Sequence, residues 1–281
     1  MYEIVRQINN NIVSSVDEKG REVILRGKGI GFGKKPHDVI DDDQIEKIYR
    51  ISGHSEMSKL ETLMSELPKE YIELSTEIID YAKGALKQKL SNTIYLSLTD
   101  HISFALQRNK QGQNYSNPLL MEIRQFYSQE YQIGKHALEL IRQRTGVTLS
   151  SDEAGFIALH IVNAELNVDM GNTVAITELI QAVVEIIREY YHDQVDETTY
   201  DFGRLLSHLK YLGQRIYTNC YQSRAGEEEL QAMVRRKYPR EYRCTECIAE
   251  YIEKKCKIKL GDEEKMYLTL HMKRIIMNLS S

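Results

Sequence analysis

The alternation of apolar and polar positions changes character near residue 56 of this 281-residue chain. Before that point, residues 2–8, 11–16, 22–26 and 29–32 read as short extended segments, with apolar side chains at every second position or in brief runs. Between them stand Asn9-Asn10 and Asp17-Glu18-Lys19-Gly20, residue types whose short polar side chains or missing Cβ suit tight turns. The pattern predicts a small antiparallel meander. Asp41-Asp42-Asp43 then offers a cap and favourable first-turn charge for a short helix over 44–51, ahead of a break at Ser52-Gly53.

After residue 56 the apolar residues recur three and four apart, the period of an amphipathic helix. Pro68 suits the first turn of a helix carrying Tyr71, Leu74, Ile78, Ile79 and Ala82, and residues 93–107, 118–144 and 175–191 continue the pattern. Its histidines expose an internal repeat. Ser150-Ser151-Asp152-Glu153, a capping-box sequence, leads into Phe156-Ile157-Ala158-Leu159-His160; Gly261-Asp262-Glu263-Glu264 leads into Tyr267-Leu268-Thr269-Leu270-His271. Likewise Leu98-Thr99-Asp100-His101 answers to Leu205-Leu206-Ser207-His208, so the two histidines recur at nearly one period, 107 and 111 residues on. The expected fold is multidomain β plus all-α: an antiparallel sheet domain over 1–56, then two homologous helical bundle domains over 57–168 and 169–281.

The residue three before each histidine is apolar: Leu98, Ile157, Leu205 and Leu268. Each ring therefore stands at the margin of an apolar stripe. Any one of them reads equally well as a structural histidine, half buried and hydrogen-bonded, but coincidence in two copies weighs toward use. Imidazole is the side chain that is both neutral and nucleophilic near neutral pH, and Asp100 beside His101 stands where it could orient or polarise that ring. A phosphoryl group accepted there replaces a neutral ring with about two negative charges, enough to remake a helix packing edge. No metal-binding spacing surrounds the four positions, so no metal or cofactor is expected.

With 37 basic and 41 acidic side chains the net charge is −4, which excludes a chain that is basic throughout and confines any nucleic-acid site to a local patch. Residues 1–36 supply one: Arg6, Lys19, Arg21, Arg26, Lys28, Lys34 and Lys35 outnumber Glu3, Asp17, Glu18 and Glu22. Such charge attracts a phosphate backbone, amides such as Asn9, Asn10 and Asn11 can read base edges, and Phe32 can stack on an unpaired base. Gly27, Gly29, Gly31 and Gly33 allow close backbone approach, while Lys34-Lys35-Pro36 in place of a helix argues against dinucleotide binding. No run approaches 18 uncharged apolar residues and Glu3 and Arg6 interrupt the start, so neither a membrane span nor a signal peptide is expected. Four cysteines, with Cys244 and Cys247 in a single C-x-x-C, read as reduced thiols on a helix in a cytoplasmic protein.

Together, Ile8-Asn9-Asn10-Asn11, the segment 26–35 and the four histidine contexts resemble, over essentially the whole chain, the BglG/SacY/LicT family of bacterial transcriptional antiterminators. The resemblance implies a co-antiterminator RNA-binding domain followed by two phosphotransferase-system regulation domains. It implies RNA contacts at Arg6, Asn11, Gly27, Lys28 and Phe32, with Asn9 and Asn10 supporting the same surface. It further implies a homodimer that clamps an RNA hairpin in a nascent leader transcript and so keeps a terminator from forming. Phosphorylation of His101 and His160 by a sugar-specific enzyme II is expected to inactivate, and phosphorylation of His208 and His271 by the phosphocarrier HPr to activate. Association fits the size of the sheet domain, which is too small to bury much core alone.

Two other classes fit less well. A DNA-binding regulator would need a helix-turn-helix where the first 56 residues read as strands. A phosphotransfer enzyme would need an acid–base partner beyond Asp100, and spacing offers none, so no catalytic residue is expected.

Overall fold

The computed structural model describes residues 2–51, 53–192, 194–223 and 228–277. These fall into two compact units, 1–167 and 168–281.

The first unit opens with a five-stranded antiparallel sheet, β1 (Tyr2–Asn9), β2 (Ile12–Val16), β3 (Glu22–Arg26), β4 (Val39–Ile40) and β5 (Lys47–Tyr49), in the order β4-β1-β2-β3-β5. The two outer strands lie where the sequence pattern points elsewhere. Residues 29–32, expected as a strand, form turns, because Gly29 and Gly33 take positive φ and the segment folds back on the β1–β2 hairpin. The helix expected over 44–51 is also absent: a single 3-10 turn, Asp42–Gln44, gives way to β5, and the edge of β3 satisfies its backbone. Asp41 caps that turn without a side-chain hydrogen bond. Ser52 of the expected break lies outside the described residues; Gly53 takes φ 114° just before the first helix.

Successive strand residues face opposite sides of a sheet, and here both sides are apolar. Ile4, Val13, Val23, Leu25, Ile30 and Ile40 form one small core. Ile12, Ile24 and Tyr49 face the other way and join a core made mostly by the helices α1 (His54–Glu66), α2 (Lys69–Leu86) and α3 (Ile94–Lys110). The Tyr49 hydroxyl shares a buried 2.9 Å hydrogen bond with Thr76 Oγ1, so the polar tip of this large side chain is satisfied. The sheet's second face is thus covered by helices of the same chain.

The first unit continues with α4 (Leu120–Phe126), α5 (Ser128–Thr145) and α6 (Ser151–Leu166); the expected single helix over 118–144 is broken at Tyr127. The second unit holds α7 (Met170–Tyr191), α8 (Tyr200–Tyr217), α9 (Glu228–Lys237), α10 (Pro239–Cys256) and α11 (Asp262–Met277). Its packing repeats that of the first: α2 lies on α3 and α5, and α6 on α3 and α5, as α7 lies on α8 and α10, and α11 on α8 and α10. The residues that anchor the four histidine helices, Leu98, Ile157, Leu205 and Leu268, are all fully buried. Helix α7 is long and apolar enough by length and composition to cross a membrane, but it carries Glu178 and Glu185 and buries Ile176, Ile180, Val183 and Ile187 as a core helix does.

Close approach of α5 to α6 fixes where His160 stands. A Cβ on Gly134 would sit 2.2 Å from the carbonyl oxygen of Ala154, leaving no space for any other residue there. Gly134→Ala is expected to push α5 from α6 and cost about 1–3 kcal/mol, read as a lower thermal midpoint of the full chain; an unchanged midpoint would contradict this packing.

Candidate functional site

Helix periodicity brings the histidines together in pairs. His101 on α3 and His160 on α6 have ring centroids 4.8 Å apart, and His208 on α8 and His271 on α11 stand 5.1 Å apart. All four histidines are of intermediate exposure as residues, although His101 Nε2 and His160 Nδ1 are buried.

Each pair has the same two charged neighbours. His101 Nε2 lies 3.0 Å from Glu153 Oε2, close enough for an ion pair though not aligned as a hydrogen bond, and the other carboxylate oxygen accepts from Arg108 Nη2 at 2.9 Å. His208 Nε2 and Glu264 Oε1 are 2.5 Å apart, and Arg215 Nη2 donates to Glu264 Oε2 at 2.7 Å. Sequence reading missed all four of these charged residues. In both copies the arginine follows the first histidine by seven positions and the glutamate precedes the second by seven, two helical turns and hence one face. That spacing was the available signal.

Two expectations are corrected here. Asp100 does not support His101: neighbours in sequence point about 100° apart around a helix, and Asp100 is exposed while Glu153 reaches the ring from α6. Nor does Ser150 close a capping box with Glu153. Its hydroxyl is buried without a partner, and the carboxylate that would complete the box is spent on His101 and Arg108.

The copies differ in access. Arg108 is buried, its guanidinium 4.8 Å from the ring of Phe104 and 4.2 Å from that of Tyr115. Arg215 is 42% exposed and, with His208, Glu264, Tyr221 and Tyr267, lines a cleft of about 330 Å³. Burial pushes the His160 ring down to about 3, helped by the facing His101. His271 is pushed down to about 4, by burial first and then by His208, Arg204 and Arg274. Burial alone would raise the Glu264 carboxyl, but the His208 hydrogen bond and the charges of His208 and Arg215 hold it below its ordinary value. One ring of each pair, His160 and His271, therefore stays neutral and nucleophilic, and in the second copy Glu264 stays ionised.

In the sheet domain the β1–β2 hairpin tip and the turn over 27–33 are tied into one surface. Gly27 N–H donates to the Asn11 carbonyl, Gly31 N–H to the Asn10 carbonyl, and Gly29 N–H to Asn11 Oδ1 at 2.8 Å. Asn9 Oδ1 accepts from Asn11 N–H at 2.9 Å, and its Nδ2 donates to the Met64 carbonyl on α1 at 3.2 Å. Asn9 and Asn11 thus spend amide groups on holding the turn. Gly27 is buried rather than presented, since a Cβ would lie 2.0 Å from the Gln44 carbonyl oxygen. Asn10 and Lys28 point outward, as does Phe32, 73% exposed. Arg6 is exposed and ion-paired with Glu61 of α1.

The remaining candidates stay apart from these sites. Cys244 is buried and Cys247 exposed on α10, and burial pushes the Cys244 thiol up to about 12. His37 meets Glu3, His54 meets Glu22, and His136 stacks on Tyr81 from within α5.

A sheet domain with a basic, aromatic turn, followed by twice-repeated helical domains with paired imidazoles, is the arrangement of a regulator with a nucleic-acid-binding head. Comparison with known proteins bears this out. Residues 2–58 match the CAT RNA binding domain, and residues 76–164 and 181–275 each match the PRD domain. Transcription antiterminator LicT of Bacillus subtilis (strain 168) is 42% identical over 98% of this chain and 99% of its own length. A Beta-glucoside operon antiterminator of Dickeya chrysanthemi is 35% identical over 97% of this chain and 96% of its own. The crystal structure of GlcT CAT-PRDI superposes with a TM-score of 0.53 at 36% identity, covering 58% of this chain and 98% of that one. The chain belongs to the BglG/LicT family of transcription antiterminators, with RNA and phosphotransferase-system proteins as its classes of partner.

The depressed values of His160 and His271 fix a sign for pH dependence. An unfolded histidine takes its proton near 6.5, whereas these folded rings refuse theirs until about 3 and about 4. The unfolded chain therefore binds more protons in that interval, and stability falls as pH drops from about 6.5 toward 4. NMR titration is expected to find both rings neutral at pH 5.5, and replacing both with Asn to flatten the acid loss of stability; titration near 6.5 would contradict the site geometry.

Proposed function

We propose that the chain acts in the cytoplasm as a homodimer whose sheet domain clamps an RNA hairpin in a nascent leader mRNA, keeping a terminator from forming ahead of sugar-utilisation genes, β-glucoside genes being the favoured class. Arg6, Asn10, Lys28 and Phe32 meet the RNA, while Asn9, Asn11 and Gly27 shape the turn that presents them. His101, His160, His208 and His271 are the phosphoacceptors. The observation that carries this reading is the twice-built imidazole pair, backed in each copy by the same Glu–Arg couple.

In transfer from a donor phosphohistidine, the donor P–N bond breaks and its electron pair returns to the donor ring. A lone pair on the acceptor imidazole forms the new P–N bond, and the acceptor ring keeps its proton on its other nitrogen. About two negative charges then arrive beside Glu153 or Glu264, which strains the helix contacts around each pair. HPr serves His208 and His271, the first of which lines the cleft beside Arg215; a sugar-specific enzyme II serves His101 and His160. Nothing in this cycle turns over substrate, so the chain works as a switch and not as an enzyme.

Two measurements test this. Phe32→Ala and Lys28→Ala should each weaken binding of the leader hairpin several-fold in a gel-shift titration, since an aromatic stack or a phosphate contact is worth about 1–3 kcal/mol, with circular dichroism unchanged; Asn11→Ala should lower both affinity and stability. Unchanged affinity for Phe32→Ala would refute the RNA surface. Incubation with phosphoenolpyruvate, enzyme I and HPr should label His208 or His271 first, and exclusive labelling of His101 would overturn the donor assignment.

A further inference from the structure

Phosphoacceptor histidines need something to receive the charge they gain, and the glutamates that touch them carry the wrong sign. Resting on the phosphoacceptor reading above, we propose that Arg108 and Arg215 are the phosphoryl-binding residues of the two domains, each leaving its glutamate to hold the phosphoryl group once His101 or His208 is modified.

Three observations carry this. First, one carboxylate separates ring and guanidinium in each copy: Glu264 takes His208 on one oxygen and Arg215 on the other, at 2.5 and 2.7 Å, and Glu153 stands likewise between His101 and Arg108 at 3.0 and 2.9 Å. A phosphoryl group on the ring comes to occupy the space the carboxylate now bridges, with oxygens of similar bite. Second, Arg108 has donor capacity in reserve. It is only 5% exposed, and its buried Nε–H meets no acceptor, although a guanidinium offers five N–H donors in a planar fork. The rings of Phe104 and Tyr115 lie against that guanidinium at 4.8 and 4.2 Å. Third, in the second copy the same arginine opens on a cleft of about 330 Å³ that also contains His208, so the incoming group has room beside it.

The exchange follows from charge. Before modification the arginine and glutamate offset each other's charge beside the ring. Afterwards about two negative charges confront the glutamate, and the arginine gains more from a doubly charged, bidentate phosphoryl group than from a single carboxylate. The carboxylate is left repelled, so it must swing away from its helix neighbour, which links modification to movement of α6 or α11 against α3 or α8. Arg108 and Arg215 act on the modified state; Glu153 and Glu264 position the ring before it.

The test uses the full chain with phosphoenolpyruvate, enzyme I and HPr as the labelling mixture. Label at His208 is located by mass spectrometry, and its half-life is followed after phosphoenolpyruvate is removed. Arg215→Gln is expected to lose the label about tenfold faster than the unsubstituted chain, the scale of one charge-assisted hydrogen bond. Arg215→Lys, which keeps the charge without the fork, should fall between. Should Arg215→Gln unfold, Arg215→Lys alone carries the test. A half-life equal to that of the unsubstituted chain in the folded variants would overturn the proposal. Absence of label at His208 in the unsubstituted chain would instead overturn the phosphoacceptor reading on which it rests.

Discussion

A carboxylate shared between an imidazole and a guanidinium is the interaction on which the switch domains depend. Glu153 binds α6 to α3, and Glu264 binds α11 to α8, each through a histidine and an arginine two turns apart on the facing helix. Such a contact is balanced only while the ring is neutral. Burial keeps the other ring of each pair, His160 and His271, uncharged well into acid. Under the proposed function a phosphoryl group is a much larger perturbation, bringing about two negative charges to one ring.

The sheet domain shows a different economy. Its strands are apolar on both sides, so one side needs the helices that follow it, and α1 fills that role while also reaching Asn9 and Arg6. Amides that look from sequence like base readers are partly consumed in holding the turn over 27–33, and what remains outward is a lysine, an asparagine and a phenylalanine. Within the first unit, the presenting surface and the helix that leads to the switch histidines therefore share residues and hydrogen bonds.

Much of this was legible in the sequence because the repeat put two independent copies side by side. The helical period, the anchors Leu98, Ile157, Leu205 and Leu268, and the recurrence of the four histidines all follow from spacing, whereas their contact in pairs is the structure's finding. What escaped was decided by contacts between elements. The strands β4 and β5 are short, and β5 draws its stability from the free edge of β3, so local pattern reads that segment as helix. Glu153 sits in a sequence that spells a capping box, yet a buried arginine and an imidazole on another helix outbid the helix terminus for it. Asp100 looked like a partner through adjacency, which on a helix means a different face. Gly27 looked like a ligand contact, but the close Gln44 carbonyl explains its lack of a side chain.

The account is tested most directly by measuring the affinity of the full chain for its leader hairpin before and after phosphorylation by HPr, in parallel with a chain carrying alanine at 101, 160, 208 and 271. It predicts that modification changes the affinity of the unsubstituted chain and leaves that of the four-alanine chain where it was. An affinity indifferent to phosphorylation, or one that shifts equally in both chains, would contradict it.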